Sequence, residues 1–205
     1  MSLVTTFNRA GMVKTGFSLP YVAKYVSDGA GGVTYTDRIR LARGVSVEIT
    51  PNVIDESNFS ADNGLAESDG SYVADGTAVL TCDGLLPGTY TFVTGAAEPG
   101  ENDKFQKVGD TAETERPELG VAYIVRWKCG GVTLFNANVL ARCKYVEAQK
   151  SAQTQEYNAA TNWQTSPVNF HFSRAETAEH EWLLKGRYYT TEAEAEADIL
   201  ELFTA

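Results

Sequence analysis

Residues 118–145 read ELGVAYIVRWKCGGVTLFNANVLARCKY, and this stretch decides the fold that the sequence predicts. Two runs of alternating side chains flank Gly130 and Gly131, a pattern typical of the arms of a β-hairpin. Alternate positions of the first arm are apolar or aromatic: Val121, Tyr123, Val125 and Trp127. A second apolar set follows the turn: Phe135, Ala137, Val139, Ala141, Cys143 and Tyr145. The hairpin is therefore predicted to form a wall of a β core.

The register of this hairpin depends on the length of its turn. A two-residue turn would pair Val125 with Asn136 and bring an amide to the apolar side. A three-residue turn pairs Val125 with Phe135 and keeps one face apolar throughout. Since a shift of one residue moves every side chain to the other face, we predict the longer turn, with a glycine in the left-handed region and a bulge. Its residues are Cys129, Gly130 and Gly131.

Composition and charge exclude some classes of function. The 205 residues suit a single domain, and the net charge of −10 argues against general binding to nucleic acids or anionic membranes. No signal-peptide core or membrane-length apolar run is present, so we expect the chain to be made and kept in the cytoplasm. Three cysteines lack metal-site spacing and are predicted to be reduced thiols: Cys82, Cys129 and Cys143.

Periodicity along the rest of the chain predicts an N-terminal arm over residues 1–16 and one β domain over residues 17–205. The 85–93 segment fits either a short helix or a continued strand, and a proline near its start favours the helix. Thr191 and Glu194 have the spacing of a capping box, and the alanine- and glutamate-rich residues that follow predict a helix over about 191–203. The predicted class is thus mostly β, an antiparallel sandwich or barrel with a short flanking helix and a C-terminal helix.

The most unusual segment is residues 51–76, which we predict to be a long extended loop. It is almost without periodicity, and no basic residue occurs between Arg43 and Lys104. A loop of this length is either functional or a flexible solvated insertion. Because the N-terminal arm is basic, the segregated charges favour self-assembly through a heterologous contact, which produces rings or filaments. The loop candidates for this contact are Asp55, Glu56, Phe59, Asp62, Glu67 and Asp69, and the candidates for docking of the arm are Leu3, Phe7, Arg9 and Lys14.

Catalytic and metal-binding motifs give no positive case for an enzyme. His171 and His180 have no cysteine, serine or carboxylate in a recognised spacing, and His171 is best explained as the polar face of a strand. The Asp-Gly pairs do not match a calcium-binding loop, and turns account for them better. We therefore assign no catalytic residue, no metal ligand and no cofactor.

Two stretches then resemble a known family. The run RLARGVSVEITPN from Arg40, followed by FSADNGLAES from Phe59, is similar to the major tail proteins of long-tailed phages, the tail tube subunits of the phi13-like group. The hairpin and the threonine- and glutamine-rich segment after it, AYIVRWKCGGVTLFNANVLARCKYVEAQKSAQTQEYN from Ala122, resemble the corresponding hairpin of that family. The resemblance covers about two thirds of the chain, residues 41–174, through loose motifs.

This resemblance implies a β-sandwich with a flanking helix, six copies in a ring, and rings stacked into a tube that guides DNA from capsid to cell. Residues 51–76 would correspond to the loop that bridges subunits or rings. The implied partners are the chain itself, the tape measure protein, the tail terminator and the tail tip proteins, with DNA in transient passage and no membrane. The implied location is the tail of the virion, assembled in the cytoplasm of a bacterial host. The alternative is a monomeric β-sandwich binding or decoration module, immunoglobulin-like or carbohydrate-binding.

Overall fold

A computed structural model of the chain describes residues 11–61, 64–97, 100, 101, 103–106, 108, 116–158 and 160–204. The strands in those residues are β1 (Met12–Ser27), β2 (Val33–Arg40), β3 (Gly44–Ile54), β4 (Ser57–Ala61), β5 (Gly64–Asp69), β6 (Tyr72–Cys82), β7 (Glu118–Cys129), β8 (Val132–Val146), β9 (Ser166–Ser173) and β10 (Leu183–Lys185). The helices are α1 (Pro87–Thr94) and α2 (Glu192–Leu202). Neither of these helices is long and apolar enough to cross a membrane.

The large sheet is antiparallel, with strand order β2-β1-β7-β8-β9-β6-β3. The short strand β10 pairs with β8 at Asn138–Leu140, and β9 pairs with β8 further along at Arg142–Val146. Strands β4 and β5 form a separate two-stranded sheet. This arrangement confirms the predicted mostly β, antiparallel class.

Two hydrophobic cores cover opposite faces of the sheet. The inner core includes Val22, Leu80, Leu119, Val121, Leu140, Cys143, Tyr145, Phe170 and Phe172. The outer core includes Tyr35, Ala122, Ile124, Ala137, Val139, Ala141, Ala195, Ile199 and Phe203. The sheet also curls, so that β3 returns over β1 and the ring of Phe17 lies against Gly44, where a Cβ atom would meet the Phe17 Cε1 atom at 2.2 Å. The result is a sandwich-like body with buried residues on both sides of its central hairpin.

The central hairpin has a two-residue turn, so the predicted three-residue turn is wrong. Cys129 belongs to β7, pairs with Val132 and is only 2% exposed. Gly130 and Gly131 alone make the turn, with φ of 55° and 86°, as a type I′ turn requires. Tyr123 pairs with Asn138, and Val125 pairs with Asn136 rather than with Phe135 as predicted.

A bulge further up the hairpin explains why the alternation of apolar residues in β8 predicted the wrong register. Leu119 pairs with Cys143 and Val121 with Leu140, so one residue of β7 lies opposite two residues of β8. The alternation of β8 changes phase there: Val139 belongs to the outer core, whereas Cys143 belongs to the inner core. The apolar residues of β8 that look like one set in the sequence therefore face two different cores.

The predicted boundaries at the N-terminus and in the acidic segment also need correction. Strand β1 begins at Met12 and pairs Met12 with Cys129, so the domain starts within the predicted arm of residues 1–16. Residues 51–76 are largely strands rather than a loop without secondary structure: β3 pairs with β6 from Pro51 to Ile54, and β4 pairs with β5 beyond. The strand pattern was hidden because residues 51–60 and 67–72 are all exposed, so burial imposes no alternation of apolar and polar side chains there.

The two predicted helices are confirmed, and α2 lies on the chain's own sheet. Helix α1 has Pro87 at its start, and its C-cap Gly95 is in the left-handed region, φ 71°. Helix α2 has the predicted capping box, in which the Glu194 backbone N–H donates to Thr191 Oγ1 at 3.4 Å and the Thr191 backbone N–H donates to Glu194 Oε2 at 3.3 Å. Ala195 and Ile199 of α2 are fully buried in the outer core.

Replacing Gly131 with valine tests the two-residue turn. The site has open space around a built Cβ atom, so the expected cost comes from the backbone at φ 86°, about 1–2 kcal/mol of unfolding free energy measured by urea denaturation. Gly130→Asn is the control, because asparagine followed by glycine is favoured in this turn type. Equal losses from both variants would argue against the turn.

Replacing Ile199 with alanine tests the outer core. The side chain is fully buried, so we expect a loss of about 2–5 kcal/mol in unfolding free energy. Leu202→Ala, at a partly exposed position of the same helix, should cost distinctly less. A negligible loss from Ile199→Ala would mean that α2 does not pack on this sheet in solution.

Candidate assembly surface

Residues 51–76 form a hairpin that extends from the body, and we call this segment the acidic arm. At its base Gly76 is fitted between the body and β3, since a Cβ atom there would lie 2.4 Å from Phe172 Cζ and 2.5 Å from the Thr50 carbonyl oxygen. Beyond the base, residues 51–60 and 67–72 are exposed. The direction of the acidic arm is therefore set by contacts at its base.

Local hydrogen bonds hold the strands of the acidic arm together. Asn52 Nδ2 donates to Asp75 Oδ1 at 2.8 Å, and Ser68 Oγ donates to Glu56 Oε1 at 3.0 Å. The Arg174 guanidinium also lies 4.7 Å from the Tyr72 ring centroid, whereas among the described residues no hydrogen bond or ion pair joins the side chains of β4 or β5 to the body. An isolated two-stranded hairpin is marginally stable in water, so this arm gains stability when a further surface covers it.

The loop candidates from the sequence lie along this arm with their side chains in solvent. Asp55, Glu56, Glu67 and Asp69 are exposed, and Phe59 is 64% exposed. Asp62 lies outside the described residues. Phe59 pairs with Glu67 across the two strands, and Asp69 is two residues further along the same strand. Cross-strand partners and residues two apart share a face, so one face of the arm tip carries an aromatic ring and two carboxylates.

The two edge strands of the large sheet are treated differently. The outer edge of β2 is covered by the residues that follow α2: the Thr204 backbone N–H donates to the Tyr35 carbonyl at 2.9 Å, and the Arg38 backbone N–H donates to the Thr204 carbonyl at 3.2 Å. In the part of the chain that the structure describes, β3 pairs with β6 alone. An uncovered edge presents unpaired backbone groups and is a template for pairing with another chain.

A cleft of about 560 Å³ opens beside this uncovered edge, and we call it the aromatic cleft. Its walls and floor include Val45, Val47 and Ile49 of β3, Tyr123 and Trp127 of β7, Asn136 and Asn138 of β8, and Trp182 and Tyr188 near β10. Lys14 and Lys185 also line it. The cleft thus combines apolar rings, amide groups and two cations beside an open strand edge.

Trp127, which lines the aromatic cleft, is held in a defined position. Its Nε1 donates to Asn136 Oδ1 at 2.8 Å, and its ring meets the Tyr188 ring edge-on with centroids 6.2 Å apart. The Lys14 ammonium lies 5.5 Å from the Trp127 ring centroid. Burial raises the pKa of the neighbouring Tyr123 hydroxyl, so that group is neutral at physiological pH. Asn136 and Asn138, whose polarity made the two-residue turn look unfavourable, both line the cleft.

The remaining sequence candidates are distributed unevenly. Lys14 is at the aromatic cleft, whereas Leu3, Phe7 and Arg9 lie outside the described residues. Gly130 and Gly131 form the turn, and Cys129 does not. Among the described residues, no ion pair joins Lys14 or Lys185 to a carboxylate of the acidic arm.

Sequence reasoning missed the aromatic cleft and the open edge of β3. Asn136 and Asn138 gave the available signal, since two buried amides on a strand of the central hairpin indicate a polar site on that face. His171 Nε2 lies 3.2 Å from Asp75 Oδ2 at the base of the acidic arm, on the polar side of β9 as predicted. No group of three or more potential metal ligands occurs among the described residues.

Comparison with known proteins adds no identification. A scan against protein-family models, a search of curated proteins and a search of solved structures each found no match.

Proposed function

We propose that this protein is a structural subunit that self-assembles into stacked rings, most simply hexameric, forming the tail tube of a long-tailed phage. The acidic arm is the observation that carries the proposal. It extends from a folded body, exposes Phe59 and several carboxylates, and is stabilised little by its own chain. Such a segment is suited to contact with another subunit, and the resemblance of the sequence to tail tube subunits supplies the kind of assembly.

The open edge of β3 supports the same proposal. The uncovered edge of β3 is available to a second copy, whereas the edge of β2 is covered by its own chain, and a contact between the β3 edge and a different surface of that copy would be heterologous. Heterologous contacts close into rings when the rotation between neighbours divides a full turn. A ring with a continuous wall of strands is the form of tube that this geometry would produce.

The charge of the chain suits a conduit for DNA. With a net charge of −10, the subunit repels phosphate groups and would let DNA slide without adhesion. The proposal places the subunit in the virion tail, assembled in the host cytoplasm, in contact with the tape measure protein, the tail terminator and the tail tip proteins. No catalytic activity forms part of it.

The aromatic cleft favours a second candidate, a monomeric binding or decoration module. A concave site with several aromatic rings and amide groups has the composition of many ligand sites. This module would bind its ligand through the cleft and would remain monomeric at all concentrations.

Electron microscopy and native mass spectrometry over a concentration series separate the two candidates. The tail tube proposal predicts rings or tubes of uniform diameter and a defined subunit number that rises with concentration. A protein that stays monomeric at every concentration, with or without added phage tail initiation complexes, would contradict the proposal and favour the binding module.

Replacing residues 53–74 with Asn-Gly tests the role of the acidic arm. The shortened chain keeps Asn52 opposite Asp75, and the removed side chains are mostly exposed, so the thermal unfolding midpoint should change by only a few degrees while assembly is lost. Phe59→Ser should weaken assembly, whereas Phe105→Ser, at a position that is 81% exposed outside the arm, should leave it unchanged. Normal assembly of the shortened chain would show that the arm makes no essential contact.

A further inference from the structure

We propose that the tip of the acidic arm of one copy of this chain docks into the aromatic cleft of a second copy. This inference rests on the proposed self-assembly and identifies the two surfaces that meet. The arm supplies Phe59, Glu67 and Asp69 on one face. The cleft supplies the Trp127 ring with the Lys14 ammonium near it, and Lys185 also lines the cleft.

The chemistry of the two surfaces is complementary. Phe59 is an exposed ring flanked by carboxylates, and Trp127 is a ring with the Lys14 ammonium above it. Lys185 gives the cleft a second cation. Docking brings ring against ring and carboxylates toward ammonium groups, and both kinds of contact are favourable when water is excluded. Neither lysine has a carboxylate partner within one chain among the described residues.

The backbone of the cleft is complementary as well. Val45, Val47 and Ile49 of the open β3 edge line the cleft. The acidic arm is itself a two-stranded sheet, whose outer edges have no further strand beside them among the described residues. A strand entering the cleft can therefore extend the sheet of the neighbour, a recurrent way in which one chain recognises another. This pairing would also give the arm the covering surface that it lacks within its own chain.

The tip of the acidic arm does not bind to the cleft of its own chain in this structure. In the part of the chain that the structure describes, no hydrogen bond or ion pair joins β4 or β5 to a residue lining the cleft. Pro51 at the base of the acidic arm lines the cleft, whereas the arm tip, β4 and β5, is a different surface of the same molecule. Each copy can therefore donate an arm tip to one neighbour and accept an arm tip from another. The contact is propagating, and it leads to a ring or a filament.

Charge reversal on the two sides provides the test. The cleft variant is Lys14→Glu with Lys185→Glu, and the arm variant is Glu67→Lys with Asp69→Lys. All four side chains are exposed, so both variants should keep the thermal unfolding midpoint of the parent chain. Alone, each variant sets like charges against each other at the contact, and its apparent association constant should fall by about 10-fold for each reversed pair at low salt.

An equimolar mixture of the two variants should assemble again. The unchanged arm of the cleft variant fits the unchanged cleft of the arm variant, and the reversed arm fits the reversed cleft, so mixed oligomers with equal numbers of each should appear in native mass spectra. Lys104→Glu with Lys128→Glu is the matched control. It makes the same change of net charge as the cleft variant. Lys128 lies on the opposite face of β7 from Trp127, and this control should assemble like the parent chain.

The outcomes separate this inference from the proposed function. If the parent chain assembles and either variant assembles equally well alone, the arm does not dock in the cleft, while self-assembly stands. Loss of assembly in both variants without recovery in the mixture overturns the pairing of these two surfaces. A parent chain that never assembles overturns the proposed function and this contact with it.

Discussion

Burial of the β7–β8 hairpin on both faces is the constraint on which the rest of the structure depends. The inner face carries Leu119, Val121 and Leu140, and the outer face carries Ile124 and Val139 beneath α2. A hairpin buried on both sides must be covered by two layers. On the outer side α2 packs across the hairpin, and on the inner side the curl of the sheet brings residues of β6 and β9 into one cluster with it. Each layer excludes water from a separate apolar cluster, so the hydrophobic effect stabilises both faces of the sheet.

The bulge at Gly120 lets residues of β8 on either side of it face different layers. A Cβ atom at this position would lie 2.5 Å from Tyr35 Cε1 and 3.0 Å from Phe203 Cζ, so the outer core comes close to the backbone there. The Tyr35 hydroxyl donates to the Ala141 carbonyl at 2.9 Å, on the residues of β8 that lie opposite the bulge. The outer core therefore fixes the place at which the alternation of β8 changes phase. Residues beyond that place, including Cys143 and Tyr145, turn to the inner core.

Periodicity predicted much of the body because its strands have at least one apolar face. The alternation of Val168, Phe170 and Phe172 marks β9, and the capping box at Thr191 marks α2, since both signals are local in sequence. The alternation of β8 could not give the turn at Gly130, because its apolar residues face two different cores and the polar Asn136 is buried. The acidic arm gave no periodic signal because its strands are stabilised by backbone pairing rather than by burial. The aromatic cleft joins residues of β1, β3, β7, β8 and β10, and only the curl of the sheet brings them together.

The fit of Gly76 at the base of the acidic arm has a mechanical consequence. From this residue to Gly64 the arm runs through about 12 residues, which at about 3.3 Å each amounts to a reach of up to about 40 Å. Over such a lever, a tilt of about 5° at the base moves the tip by about 3 Å, roughly the length of one hydrogen bond. Packing of Phe172 and the Thr50 carbonyl around Gly76 therefore acts together with the pairing of Asp75 to Ser173 to set the angle at which the tip is held. The curvature of any assembly built on that tip is encoded in the interior of the subunit.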